Sequence, residues 1–331
     1  MMRFPSFLTK SKFVNLEIKD YVIRFAEIKN HSPLVVSHFG ERHVPKGIIE
    51  NGHIIDEQSF SNILGECIKS WHLKRKFVRF IVPDSSVIIR KVEIPAHIPN
   101  DEIQGHLFFE LDHTIHLPFE QPVLDAILLN ETEEKKDVLL VAAPNDVVQT
   151  ISNYLREYKT NPVVADISPM CQYRLFHQFE LTNEIDHFLL VQFDMTSVTV
   201  SIFDHHRPIF MQQFQIPYRK DVWNPELSDN GKVIDFTKCE QEQILEAIQD
   251  IFIEIDRIFR FYQYSLHNGL QEITKLLLSG DHPYFSQILH EIRNRYTIPV
   301  TVIPEEFTFN NQQLIEQKYY NVLGLGIREG I

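Results

Sequence analysis

Glycine is scarce in this chain, which has 11 among its 331 residues. Loops that wrap phosphate groups use glycine so that backbone N–H groups can approach the anion, so this scarcity disfavours a glycine-rich phosphate loop. The three cysteines, Cys67, Cys171 and Cys239, are odd in number and far apart. They form neither a disulfide framework nor a Cys-x-x-Cys metal pattern, and we therefore expect a protein of the reducing cytoplasm.

Long apolar runs and an excess of positive charge are also missing. No stretch reaches the roughly 18 apolar residues of a membrane span, and the segment from Met1 to Lys12 lacks the apolar core of a signal peptide. The net charge of −13 argues against a broad nucleic-acid interface, because such an interface needs a basic face. If the protein works at the cytoplasmic face of a membrane, we expect a partner to hold it there.

Two segments of the chain are similar, and one lies near the start of each half. The first runs from Val14 to Asp20 and on to Ile28, and the second runs from Leu190 to Ser197 and on to Phe203. Each segment has the residue pattern of a strand, a tight turn and a second strand. This repetition predicts a duplicated, two-lobed α/β protein.

The region between these segments has the pattern of a small inserted module. An apolar stripe predicts a helix over 58–72, and a short apolar strand ends at Pro83. Strands are then predicted at 86–94, 123–129, 138–142 and 163–167. Asn100 is a good N-cap for a helix through Leu111, and Asn145 is one for a helix over 146–158. Residues 84–162 therefore read as a β-α-β-β-α insert in the first lobe.

The second half continues with a partner strand at 209–215 and a polar segment at 219–238 that we interpret as a loop. Further helices are predicted at 240–266, 283–295 and 312–327, with strands at 273–278 and 300–303. We therefore predict a first lobe from 1–83, 163–185 and the C-terminal helix region 312–331. The insert is 84–162, and the second lobe is 186–311.

Short segments in a characteristic order carry a resemblance across nearly the whole chain. They are Pro45–Gly52, Val87–Pro95, Glu110, Leu117–Phe119, Val123–Asp125, Leu139–Pro144, Ala165–Pro169, Leu277–Gly280 and Ile298–Val300. In this order the chain resembles the PilM family of type IV pilus assembly, actin-like cytoplasmic proteins related to the cell-division protein FtsA. The resemblance implies an actin-like, ribonuclease-H-like fold of two lobes, each with a five-stranded sheet, and an FtsA-type inserted subdomain.

The resemblance also implies a nucleotide site, because actin-like ATPases hold ATP between two hairpin turns and a third glycine turn. In that pattern Glu17 takes the first aspartate position and Lys19 a glycine position. In the second turn Gln192 takes the aspartate position and Asp194 the glycine position, or a shifted alignment makes Asp194 the metal-binding aspartate. The third turn keeps Gly280 but has Asp281 in place of the next glycine.

These departures favour hairpin turns that bind no nucleotide. A carboxylate at Asp194 would lie close to a phosphate, at a cost on the order of 1–4 kcal/mol. If binding of ATP and Mg²⁺ survives instead, the resemblance assigns it to one set of residues. They are Glu17, Lys19, Asp20, Asp194, Thr196, Ser197, Ser279 and Gly280.

The partner implied by the family is the cytoplasmic tail of the membrane protein PilN, bound between the first lobe and the insert. The residues expected there are Ile88, Arg90, Val92, Phe108, Phe109 and Leu117. An extended apolar peptide could add along a strand edge and place side chains in pockets. We expect no metal site, because His113 and His116, three apart near one helix face, have no third ligand nearby.

We therefore predict a cytoplasmic, non-catalytic adaptor of type IV pilus assembly or of a related secretion or competence machine. One alternative is a working actin-like ATPase whose nucleotide state opens and closes the lobes. Another is an FtsA-like cell-division scaffold, which the lack of a C-terminal amphipathic membrane helix disfavours. Binding of other pilus proteins and self-association stay open.

Overall fold

The computed structural model of the chain describes residues 13–32, 34–218, 226–227, 234–235, 241–304, 308–309 and 313–328. The predictions about the first twelve residues and about most of the polar segment 219–238 lie outside these ranges. Within them, no helix has both the length and the apolar character that crossing a membrane requires.

The strands fall into two large sheets and several small ones. They are β1 (Phe13–Lys19), β2 (Val22–His31), β3 (Leu34–His43), β4 (Ile49–Glu50), β5 (His53–Ile54), β6 (Phe77–Ile81), β7 (Ile88–Pro95), β8 (Pro122–Glu131), β9 (Lys135–Pro144), β10 (Asn161–Asp166), β11 (Phe188–Phe193), β12 (Ser197–Asp204), β13 (Arg207–Gln215), β14 (Glu226–Leu227), β15 (Ile234–Asp235), β16 (Lys275–Gly280), β17 (Val300–Thr301), β18 (Thr308–Phe309) and β19 (Gln313–Leu314).

Within the same ranges, seven α-helices accompany the strands. They are α1 (Glu57–Ser70), α2 (Ile103–Glu110), α3 (Asn145–Glu157), α4 (Ser168–Gln178), α5 (Gln241–Arg260), α6 (Phe285–Arg295) and α7 (Tyr320–Gly326). Helix α5 continues as a π-helix over Phe261–Leu266. Helix α1 shows how the sequence sets an element: Asp56 accepts the backbone N–H of Ser59 at 3.0 Å as its N-cap, and an apolar face including Phe60 and Leu64 is buried.

The two large sheets have the same topology. The first has the order β3-β2-β1-β6-β10 and the second the order β13-β12-β11-β16-β17. In each, the first three strands form antiparallel pairs, and the remaining two strands run parallel to the central one. The predicted duplication and two-lobed α/β fold are confirmed. We call the unit built on the first sheet the first lobe and the unit built on the second sheet the second lobe.

The third sheet, with the order β7-β9-β8, is antiparallel throughout and lies within residues 84–162. Helix α2 packs on one of its faces, and its core includes Ile94, Leu107 and Leu140. We call this sheet with α2 the insert. The exact domain boundaries proposed above stay predictions.

Several local predictions need correction. Asn100 does not cap α2: it begins a 3₁₀-helix over Asn100–Glu102, and its side-chain oxygen accepts a hydrogen bond from Lys136 Nζ at 2.8 Å. Asn145 is the first residue of α3 and provides no side-chain cap. The last helix is limited to α7, because β19 and a 3₁₀-helix over Gln317–Tyr319 precede it.

Two long elements and several two-residue strands were not predicted. Strand β3 is long and only partly buried, so its polar residues hide the alternation on which a strand prediction rests. Helix α4 begins at Ser168 followed by Pro169, a proline position that is typical of a helix start and could have revealed it.

Candidate functional site

Three turns from the two large sheets meet in the cleft between the lobes. The β1–β2 turn contains Asp20 and Tyr21, and the β11–β12 turn begins at Asp194. The third turn follows β16 at Asp281. Because β11 and β16 are parallel neighbours, the last two turns lie side by side at one edge of the second sheet. The first turn faces them from the first lobe.

Lys19 joins the two lobes at the centre of this cleft. Its ammonium nitrogen lies 3.1 Å from Glu17 Oε1 and 2.9 Å from Asp194 Oδ1. Both carboxylates are almost completely buried. Burial by itself would lower the pKa of Lys19, but the charges of Asp194 and Glu17 raise that pKa well above its ordinary value. The ammonium is therefore a fixed positive charge between two buried carboxylates from different lobes.

A second charged contact crosses the cleft between Arg24 of β2 and Asp281. Arg24 Nη1 lies 2.6 Å from Asp281 Oδ2, and the hydroxyl of Tyr21 donates to the same carboxylate at 2.6 Å. Burial would raise the pKa of Asp281, but the charges of Arg24 and Lys19 and the hydrogen bond from Tyr21 outweigh it and lower that pKa. Asp281 therefore stays ionised as the counter-ion of Arg24.

Further first-lobe residues complete the arrangement. Arg24 Nε pairs with Glu41 at 3.0 Å, and Glu41 in turn pairs with Lys318 Nζ at 2.8 Å. Asn321 of α7 donates to Glu17 Oε1 at 2.5 Å. The set as a whole is called the cleft network below. Its members are Glu17, Lys19, Tyr21, Arg24, Glu41, Asp194, Asp281, Lys318 and Asn321.

The network holds four carboxylates and three cationic side chains. Burial raises the pKa of Asp194 although Lys19 lies beside it. The Lys19 ammonium, 2.9 Å away, opposes this effect of burial. Gln192 supports Asp194 by donating to its Oδ2 at 2.8 Å. Each of the four carboxylates thus has at least one cationic partner within the protein itself.

Little open space remains beside the network. The cavity there has a volume of about 50 Å³, room for a few water molecules. Small-molecule sites usually measure about 300–1,000 Å³. Asp20 and Asp84 line this cavity but are already engaged: Asp20 accepts the backbone N–H groups of Asn51 and Gly52 at 2.8 and 2.9 Å. Asp84 accepts the hydroxyls of Ser168 and Thr199 at 2.6 and 2.8 Å.

The predicted nucleotide residues are divided by the structure. Six of them line the small cavity: Glu17, Lys19, Asp20, Asp194, Thr196 and Ser197. Of these six, Glu17, Lys19 and Asp194 also belong to the cleft network. Ser279 and Gly280 are buried in β16 and do not line it. Gly280 has a φ of +128°, and a Cβ at this position would lie 1.9 Å from the carbonyl oxygen of Phe193. This glycine is therefore required by the close approach of β11.

Sequence reasoning missed Tyr21, Arg24, Glu41, Lys318 and Asn321. One signal was present: Arg24 interrupts the apolar run at 22–26 in β2, and a buried charge needs a partner. The identity of that partner was not visible, because Asp281 lies in the other lobe, far along the chain from Arg24.

The predicted partner residues lie in the insert. Val92 and Leu117 are partly buried against its core, and Ile88 is half-buried in β7. Arg90 donates to the carbonyl of His116 at 2.9 Å. The aromatic pair on α2 is the most accessible part: Phe108 is 46% and Phe109 81% exposed.

The two histidines considered as metal ligands are placed differently from expectation. Helix α2 ends at Glu110, so His113 and His116 lie in the following turn segment and not on a helix face. Among the residues that the structure describes, no group of three or more His, Cys, Asp or Glu side chains is positioned to hold a metal ion.

Comparison with known proteins identifies the family. A sequence model described as "Type IV pilus assembly protein PilM" matches residues 16–322. The structure is similar to a solved PilM-PilN type IV pilus biogenesis complex, with a TM-score of 0.73 and 18% identity over 97% of this chain and 100% of that chain. It is also similar to the ethanolamine utilization protein EutJ from Carboxydothermus hydrogenoformans, with a TM-score of 0.51 and 9% identity over 95% and 88% of the two chains. No curated protein matches the sequence.

These likenesses confirm the predicted actin-like fold. The family match extends over both lobes and the insert, and it agrees with the resemblance carried by the short sequence segments. The chain belongs to the family of type IV pilus assembly proteins PilM.

Proposed function

We propose that this chain is a cytoplasmic adaptor of type IV pilus assembly that binds the tail of a PilN-like inner-membrane protein and does not hydrolyse ATP. The observation that carries the proposal is the position of Lys19. Its ammonium lies between Glu17 and Asp194, where an actin-like ATPase would need glycine backbone and a bound phosphate. In this proposal the cleft network holds the two lobes together, as a bound nucleotide does in an actin-like ATPase.

The energetics oppose entry of a nucleotide. Phosphates could pair with Lys19 and Arg24, but Asp194 and Asp281 would then face a polyanion without their present partners. Each such like-charge contact costs on the order of 1–4 kcal/mol at surface-like dielectric. A ligand that binds at micromolar concentration has only about 8 kcal/mol of binding free energy in total. Two uncompensated carboxylates would cost a large part of this free energy. A cavity of about 50 Å³ leaves a nucleotide few contacts that could offset that cost.

The small cavity beside the network adjoins the segment that leads into the insert. Pro83, Asp84 and Ser85 line the small cavity, and β7 begins shortly after them at Ile88. With the lobes held by ion pairs, the insert keeps one orientation whatever the nucleotide concentration. The adaptor would then present its partner surface constitutively.

The experiment is a calorimetric titration of the full chain with a synthetic PilN-like tail peptide, with and without ATP and Mg²⁺. We expect binding with a Kd that changes by less than about twofold on adding nucleotide. Phe109→Asp should weaken binding, because this exposed ring lies in the predicted surface, whereas Leu270→Asp, at 87% exposure in the second lobe, should not. A peptide that fails to bind, or a Kd that ATP shifts about tenfold, would contradict the proposal.

A further inference from the structure

A group of positively charged side chains lies at the end of the first lobe that is opposite the cleft. Strands β1, β6 and β10 run parallel, so they end together at the cleft and begin together at the other edge of the sheet. At that other edge Phe77 of β6 pairs with Phe13 of β1 and with Asn161 of β10. A strand as long as β1 spans about 20 Å. The two edges are therefore further apart than the screening length of about 8–10 Å in physiological salt.

Two segments supply these charges. Residues 66–76 and 156–161 contain six lysine and arginine residues and two glutamates, whereas the whole chain has a net charge of −13. The segments are joined because the N–H of Arg75 donates to the carbonyl of Lys159 at 2.7 Å. Their exposed cations are called the basic patch below. Its members are Lys69, Lys74, Arg75, Arg156 and Lys159.

The charge of the basic patch is not neutralised from within the protein. Other charged groups of the two segments are paired: Lys76 with Glu27, and Glu66 with Arg42, whose Nη2 lies 3.6 Å from Glu66 Oε2. Glu157, in the last turn of α3, is exposed. In the part of the chain that the structure describes, no patch cation forms an ion pair with a carboxylate. The patch is therefore available to an anionic partner.

Helix stabilisation accounts for only two of the five cations. Lys69 and Arg156 lie in the last turns of α1 and α3, where a cation stabilises the helix dipole. Lys74, Arg75 and Lys159 follow the helix ends, beyond the reach of that effect. Arg75 and Lys159 also have φ values of +64° and +62°, a backbone conformation that glycine adopts with less strain. Long cationic side chains thus stand where the backbone alone would favour another residue.

Among the described residues, two large exposed apolar side chains adjoin the patch. Phe77 directly follows Lys76 and is 36% exposed, and Val163 of β10 is 41% exposed. A docking surface for a folded protein usually has an apolar core that is buried on binding. Two side chains are too few for such a core, so charge dominates this surface. Several cations with one aromatic ring beside them suit the headgroup layer of an anionic membrane, where the cations meet phosphates and the ring lies at the boundary.

We propose that the basic patch binds the headgroup layer of a membrane that contains anionic phospholipids, with Phe77 at the boundary and no segment crossing the bilayer. A cluster of four to eight lysines and arginines is typical of such contacts. The acidic remainder of the chain opposes them little, because charges beyond a screening length are largely masked by salt. This inference goes beyond the proposed function and does not depend on the partner tail.

Sedimentation of the full chain with lipid vesicles tests the inference. We expect binding to vesicles of phosphatidylcholine and phosphatidylglycerol but not to vesicles of phosphatidylcholine alone. Raising the salt to about 1 M, where the screening length is about 3 Å, should weaken binding by about tenfold or more. A wild-type chain that does not bind the anionic vesicles overturns the inference.

Two double variants with the same change of net charge show whether the patch is responsible. Lys74→Glu with Arg75→Glu should weaken vesicle binding by about tenfold or more. Arg260→Glu with Arg293→Glu, at exposed positions in the second lobe, should change it by less than about twofold. Equal losses in the two variants would show that only net charge matters, and would overturn the inference. Circular dichroism checks folding, and Lys74→Arg with Arg75→Lys should bind as the wild type does.

Two further measurements separate this inference from its neighbours. Polyglutamate serves as a model of an acidic protein: if the wild type binds polyglutamate but not the anionic vesicles, the patch recognises acidic protein and the inference fails. The variant with Lys74→Glu and Arg75→Glu should bind the tail peptide with the wild-type Kd. Failure of the lipid contact therefore leaves the adaptor function intact, and failure of tail binding leaves the lipid contact intact.

Discussion

The ammonium of Lys19 lies 2.9 Å from Asp194 Oδ1 and so ties the first lobe to the second. Both residues occupy positions where the family pattern places residues of a nucleotide site. Lys19 and Asp194 each depart from the family pattern of that site, and the two departures are paired in space. Under the proposed function, this pair joins the two lobes without a bound nucleotide.

Removing the ammonium should destabilise the protein strongly. In Lys19→Met the buried carboxylates of Glu17 and Asp194 lose their shared cation, and breaking a buried pair in this way costs about 3–5 kcal/mol. Urea unfolding followed by circular dichroism measures the loss. Lys135→Met is the control, because Lys135 pairs with Glu93 in solvent, and we expect it to change the free energy of unfolding only slightly. Equal costs for the two variants would show that Lys19 is not a structural cation.

Asp281 should make the stability of the protein depend on pH in the acid range. Its pKa is lowered in the folded state, so its contribution is fully present above its unfolded pKa near 4 and is lost as pH falls through the folded value. Asp281→Asn should therefore cost about 2–4 kcal/mol at pH 7, and the difference from wild type should shrink toward pH 2. Asp101→Asn, at an exposed position, should show no such trend. A difference that stays constant with pH would contradict the ion pair with Arg24.

His282, next to Asp281, should also make the stability of the protein depend on pH, in a neighbouring pH range. Burial lowers its pKa to about 4, with only partial compensation from the charge of Asp281. Its Nδ1 accepts the backbone N–H of Tyr284 at 3.1 Å, and its Nε2 lies 2.7 Å from the hydroxyl of Tyr218. The ring is thus neutral when folded.

The sign of the His282 effect follows from its lowered pKa. The unfolded chain binds a proton near pH 6.5, so folding becomes less favourable as pH falls from about 6.5 to about 4. Over that window the wild type should lose about 3 kcal/mol more than His282→Gln. Chemical unfolding at a series of pH values measures this, and parallel curves for the two proteins would refute it.

Gly280 should tolerate no side chain. An alanine Cβ would meet the carbonyl oxygen of Phe193 at 1.9 Å, and the φ of +128° is one that other residues rarely adopt. We expect Gly280→Ala to cost about 3–5 kcal/mol. A Cβ added to Gly105, within α2, would meet no atom within 4 Å, and Gly105→Ala should be neutral or stabilise by about 0.5–1 kcal/mol. Thermal denaturation of the two variants compares them, and similar melting temperatures would argue against the close packing of β11 and β16.

Much of the fold could be predicted because its signals are local. The repeated hairpins at β1–β2 and β11–β12 and the stripe of α1 appear within short windows of sequence. The N-cap predictions for Asn100 and Asn145 were wrong because they rested on residue type alone. Residue type does not show which other hydrogen-bond partners compete for the side chain. In the fold, Asn100 instead accepts a hydrogen bond from Lys136, a residue of another strand.

The site could be predicted only in part, for a related reason. Lys19 and Asp194 were recognised as departures from the family pattern, but not as partners of one another. Their pairing, and that of Arg24 with Asp281, depends on how two lobes meet, which no local pattern records. A charged residue within a buried strand indicates that a partner of opposite charge exists, but it does not indicate where in the chain that partner lies.

The most direct test of the closed cleft is a calorimetric titration of the purified full chain with ATP and Mg²⁺. The ion pairs of Lys19 and Arg24 predict no saturable heat up to about 1 mM nucleotide, a concentration that corresponds to roughly 4 kcal/mol of binding free energy. Saturable, stoichiometric binding at micromolar ATP would contradict the account, because it would show that a triphosphate displaces the cleft network.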